Sequence, residues 1–119
     1  MAGALTRDTA IFALTPAADQ TGKEGYAVKI VAGEAAISTA HNGNFGVILD
    51  GETTAGKSTV ASMAGASGTV KVKLSGTGAL GGNLMIHTEG TWKAHASTKI
   101  VSGVAMEAGV ADELIEAAL

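Results

Sequence analysis

The residues with the strongest claim to chemistry are Gly51-Glu-Thr-Thr-Ala-Gly56-Lys57-Ser58, spaced like the loop that cradles a nucleoside triphosphate. In that loop backbone N–H groups wrap the phosphates, the lysine reaches the outer ones and the hydroxyl binds magnesium. The chemistry requires a helix directly after the lysine, because its N-terminus presents oriented amides and the positive end of the dipole. The segment after Lys57, Ser58-Thr-Val-Ala-Ser-Met-Ala-Gly65, is instead β-branched, short and closed by glycine. A later apolar strand ending in aspartate, needed to hold magnesium, is missing too; Leu84-Met-Ile-His-Thr-Glu89 comes nearest. The motif therefore reads as a glycine-rich β-turn with Lys57 in solvent.

Other candidates fare similarly. Val104-Ala-Met-Glu-Ala108 resembles the hairpin on which biotinyl and lipoyl domains carry an acylated lysine, but Glu107 occupies the lysine's place and cannot form the amide. Met106 is then expected to fill the core. His87 and His95 are predicted to lie on one outer face, about 13 Å apart along a strand. They cannot share a metal ion without His41 or another subunit, so solvated histidines are expected and no metal site is assigned. No Gly-x-Ser-x-Gly elbow occurs, and Glu113 and Glu116 near the chain end read as a solvated face. No catalytic residue is assigned, and no cofactor is expected.

The elements that would position any site are β-strands. Glycine recurs on average every seventh residue and separates runs such as Gly25-Tyr-Ala-Val-Lys-Ile-Val-Ala-Gly33. Val70, Val72 and Leu74 alternate with Thr69, Lys71 and Lys73, the pattern of a half-buried strand. Phe45-Gly-Val-Ile-Leu-Asp50 is uniformly apolar until its last residue, as expected for a strand covered on both faces and ended by Gly51. Around Gly90 the pattern selects a register. A two-residue loop would set Leu84 against His95, whereas a three-residue loop, Thr88-Glu89-Gly90 with Gly90 left-handed, pairs Ile86 with Trp92 and Leu84 with Ala94. Residues 111–119 remain open: Ala, Glu and Leu favour a helix by propensity, while Leu114, Glu116 and Ala118 alternate with Ile115, Ala117 and Leu119 like a strand. Residues 1–22 read either as an arm, with Leu5, Ile11, Phe12 and Leu14 scattered around Pro16, or as an edge strand with a loose tip. The fold class is thus all-β, a small barrel or sandwich at residues 23–119 with an extended N-terminal arm at 1–22.

Composition bounds the function. One domain is expected at 119 residues, with a thin core, since aromatics are limited to Phe12, Tyr26, Phe45 and Trp92. A thin core favours support from subunit partners. The absence of cysteine removes disulfides and thiolate metal sites. A net charge of -3 with scattered basic residues argues against direct nucleic-acid binding. No run approaches the roughly 20 apolar residues of a membrane span, so no membrane association is expected, and the chain reads as soluble and unexported.

Taken in order, the segments resemble the capsid decoration, or cement, proteins of tailed bacteriophages and prophages. The resemblance runs over residues 23–119, through Gly25-Tyr-Ala-Val-Lys-Ile-Val-Ala-Gly33, Phe45-Gly-Val-Ile-Leu-Asp-Gly51, Ala55-Gly56 before Ser58-Thr-Val60, and the valine strand ending in Gly76. It continues through Gly81-Gly82-Asn83-Leu84, Gly103-Val-Ala-Met-Glu-Ala108 and Leu114-Ile-Glu-Ala-Ala-Leu119, departing where Asn83 follows Gly82 in place of aspartate. The resemblance implies a barrel-like homotrimer on the outer surface of the virion capsid, made in the host cytoplasm, with the major capsid protein as partner. It also favours a strand at residues 114–119. Under it, the N-terminal segment becomes the binding element, with Leu5, Ile11, Phe12 and Leu14 against the capsid. The competing expectation is a stand-alone binding module, for example for carbohydrate, with an exposed Trp92 stacking on its ligand.

Overall fold

The computed structural model describes residues 11–39, 43–63, 69–96 and 99–119. Among these, ten strands form two five-stranded antiparallel sheets, and the all-β expectation holds. The first sheet contains β1 (Ile11–Leu14), β2 (Ala27–Val31), β3 (Glu34–Ile37), β4 (Gly46–Asp50) and β5 (Ser58–Ser62), ordered β1-β5-β4-β2-β3. The second contains β6 (Thr69–Lys73), β7 (Asn83–Ile86), β8 (Trp92–Ala94), β9 (Gly103–Ala105) and β10 (Leu114–Ala118), ordered β6-β10-β9-β7-β8. Counted within its own half, each sheet has the same order, first-fifth-fourth-second-third. The chain is one five-stranded unit built twice.

The likeness extends to the closure of each unit. Just past β1, Pro16 forms a parallel bridge to Ala35 of β3, with Ala17 N donating to Ala35 O at 2.8 Å and Ala35 N to Thr15 O at 2.9 Å. Just past β6, Leu74 bridges in parallel to Trp92 of β8, and Ser75 N donates to Trp92 O at 2.7 Å. In both units the chain leaving the first strand therefore bonds the sheet's opposite margin, which shortens the open edge that a small sheet otherwise exposes and leaves β1 itself paired with β5 on one side.

Residues 11–14 take the edge-strand alternative, paired with β5 from Ile11–Ala61 to Leu14–Ser58. Pro16 and Gln20 are fully buried, so the chain from Ile11 to Gln20 is part of the domain. Residues 1–10, including Leu5, lie outside the described residues. The proline suits its place, because the bridge here uses neighbouring amides and does not need the one proline lacks.

Burial follows the strand period. In the first sheet adjacent residues enter different clusters: Ala27, Val47 and Ala61 join the large core of the second sheet around Trp92, Leu74 and Leu84, while Val28, Ile48 and Val60 form a second cluster with Ala35. This explains the apolar run of β4, which has hydrophobic matter on both faces. The coverage stops early, however. Gly46 to Ile48 are buried but Leu49 and Asp50 are exposed, and the pairing of β4 with β5 shifts register between Ile48 and Asp50, as at a β-bulge.

The β7–β8 hairpin has the expected register, Ile86 with Trp92 and Leu84 with Ala94, and Gly90 is left-handed at φ 77°. Glu89 is left-handed as well, at φ 65°. Gly90 has a second reason to be glycine: a Cβ there would lie 2.7 Å from the carbonyl oxygen of Ala27. The C-terminal residues form β10, a strand bonded to β6 on one side and β9 on the other. Helix propensity loses here because Ile115 and Ala117 bury fully on the period-two face while two neighbours satisfy the backbone.

Candidate functional site

The triphosphate-like motif folds as a turn leading into a strand. Residues 54–56 make the turn, Gly56 N donates to Thr53 O at 3.0 Å, and Ser58 opens β5. The hydroxyl that would bind magnesium in a phosphate loop is committed elsewhere: Ser58 Oγ donates to Gln20 Oε1 at 2.8 Å and accepts from Glu52 N at 3.1 Å. Gln20 in turn donates to Ala35 O at 2.7 Å, so this side chain ties the β1–β2 connection to β3 and β5. Lys57 is exposed and donates to Thr15 Oγ1 at 3.1 Å. The residues serve as a lock for the first unit.

Met106 does not fill the core: it is 49% exposed. The neighbouring Ala105 takes the buried position, and the chain bends at Met106 and Glu107, turning the methionine outward. Glu107 accepts from Glu116 N at 2.9 Å and stands 3.4 Å from Lys71 Nζ. The backbone N–H of Glu116, helped by Lys71, holds the Glu107 carboxyl below its ordinary pKa, and partial desolvation opposes this. Asp19 is held low in the same way by the N–H and hydroxyl of Thr21.

His87 and His95 are each partly exposed, and His95 Nε2 lies 2.6 Å from Lys99 O. His95 N bonds Asn83 O, which confirms the strand offset separating it from His87. Among the described residues no group of three His, Cys, Asp or Glu could hold a metal ion; His41 lies outside them. Trp92 is fully buried opposite Ile86, as the expected register requires, with its Nε1 lacking a hydrogen-bond partner among the described residues; the exposed Trp92 of the competing carbohydrate-binding reading is corrected.

The structure brings Ile11, Phe12 and Leu14 together on β1. Ile11 and Phe12 are 52% and 41% exposed, and Phe12 packs on Phe45 with ring centroids 5.4 Å apart. Leu14 is half-buried against the second cluster, which gives it a packing role as well. Sequence reading did not find the exposed apolar residues of the second unit, among them Leu80, Val110 and Leu114. A signal was present in the repetition of Gly46-Val-Ile-Leu-Asp50 as Gly103-Val-Ala-Met-Glu107, which aligns the two halves.

No protein-family model matches this chain, and no curated protein does.

Proposed function

We propose that this chain is a capsid decoration protein, binding the outer surface of an expanded bacteriophage shell and bridging major capsid subunits. The observation that supports this best is the margin strand β1. It carries Ile11 and Phe12 on the surface, 52% and 41% exposed, at the margin of the first sheet. A strand of this kind can align with an exposed strand of a shell subunit, adding backbone hydrogen bonds while the apolar side chains fill pockets. Three copies engaging several shell subunits would turn modest contacts into strong attachment, and binding only the expanded form would stabilise it by mass action.

The test uses expanded shells of the major capsid protein that this reading expects in the same genome, assembled without the decoration protein. Wild-type chain should saturate the shells and raise their melting temperature. Ile11→Glu, which places a charge on an exposed position, should lower occupancy while leaving the fold intact. Shells that take up no wild-type protein would reject the reading.

A further inference from the structure

The repeated unit supplies its own control for surface residues. In the second unit the β6–β7 connection and the β9–β10 turn meet at one end, joined by Gly78 N to Gly109 O at 2.9 Å and Asp112 N to Leu74 O at 2.8 Å. In the first unit the equivalent connections meet through Gln20 N to Glu52 O at 2.9 Å. Matching turns identify matching residues. Gly82 N bonds Ala79 O as Tyr26 N bonds Lys23 O, with Gly81 and Gly25 both left-handed, so Leu80 corresponds to Glu24. Glu113 N bonds Val110 O as Gly56 N bonds Thr53 O, so Val110 corresponds to Thr53.

The same backbone thus carries glutamate and threonine in one unit, and leucine and valine in the other. Leu80 is 70% exposed and Val110 57%. The fold does not need apolar side chains at these places, and exposing them to water gains nothing for the isolated chain. The charges at this end point to its occupant. The charged residues of these two connections, Glu107, Asp112 and Glu113, are all acidic, and the nearby Lys71 of β6 is engaged by Glu107 and by Glu116 of β10 at 3.4 and 3.9 Å. Among the described residues neither Asp112 nor Glu113 has a salt-bridge partner. Two copies meeting through this end would set carboxylates against carboxylates, whereas a basic-rimmed apolar partner would neutralise them.

We infer that the end of the second unit bearing Leu80 and Val110 is a docking surface for an apolar protrusion flanked by lysine or arginine on the shell subunit. This rests on the proposed capsid function and adds a second contact, distinct from β1.

The test measures binding to the same expanded shells at several salt concentrations. The double variant Leu80→Glu, Val110→Thr installs the first unit's own residues, so its fold should survive, as circular dichroism and melting would verify. It should bind at least about tenfold more weakly, the effect of losing roughly one buried aliphatic contact. Asp112→Asn, at a left-handed position that asparagine tolerates, should flatten the salt dependence. Folded double variant binding like wild type would overturn the surface while leaving the capsid function standing. Variants that lose self-association in sedimentation but keep their shell affinity would also overturn it, by making the surface a contact between copies. Wild-type chain that fails to bind shells would overturn both.

Discussion

Replacing Gln20 by leucine tests the lock on the first unit. Gln20 is 1% exposed and makes two side-chain hydrogen bonds, to Ala35 O at 2.7 Å and from Ser58 Oγ at 2.8 Å. Leucine keeps nearly the same volume, so the cavity contribution is small and the loss is chiefly polar. Ala35 O retains its bond from Ala17 N, so losing its second donor costs about 1 kcal/mol. The Ser58 hydroxyl is fully buried and would be left without an acceptor, which costs about 1–3 kcal/mol. The expected total is about 2–4 kcal/mol, less whatever the added apolar surface returns. For a chain of this size that corresponds to a fall in Tm of roughly 6–16 °C. Trp92 sits in the second unit, in a core cluster that also contains Ala27, Val47 and Ala61 of the first. Its fluorescence and far-UV circular dichroism should therefore shift together in one transition. Adding Ser58→Ala to Gln20→Leu should recover part of the loss, since it removes the orphaned hydroxyl. A single variant that melts within a degree of wild type would refute the lock, and a two-step melt would refute the coupling of the units.

The same geometry sets further outcomes. Gly25→Ala should destabilise by several kcal/mol, because the residue is left-handed at φ 86° and a Cβ would lie 2.7 Å from Lys73 N at the seam between units; urea unfolding measures it. Truncation through Asp19 should abolish the cooperative melt, since it removes β1 and the Pro16 bridge that closes the first sheet. Trp92 emission should be blue-shifted and unmoved by sugars, as its burial demands. The Glu107 carboxyl is held below its ordinary pKa, so its contribution is present above the unfolded value of about 4.3 and is lost as pH falls through the depressed folded value. Glu107→Gln should accordingly flatten the acid limb of a stability-against-pH curve, and an unchanged limb would contradict the hydrogen bond from Glu116.

Local pattern was enough to determine the strand class, the half-buried face of Val70, Val72 and Leu74, and the register of the β7–β8 hairpin, because each depends on neighbours within one or two strands. It was also enough to set aside the phosphate loop, whose geometry needs a helix that β-branched residues after Lys57 do not favour. Met106 was beyond that reach: whether a methionine points inward depends on where the chain bends, and here Ala105 takes the core position. The fate of residues 114–118 was likewise open, since propensity and alternation disagreed until β6 and β9 offered backbone partners on both sides. Only the tertiary structure showed that residues 15–17 and 74–75 close their sheets, because those bridges join strands far apart in the chain. The doubling of the unit was faintly written in two glycine-valine segments, but core positions accept any apolar residue of suitable size. Identical backbones can therefore carry sequences with little in common, and the repetition becomes plain in hydrogen bonds before it does in side chains.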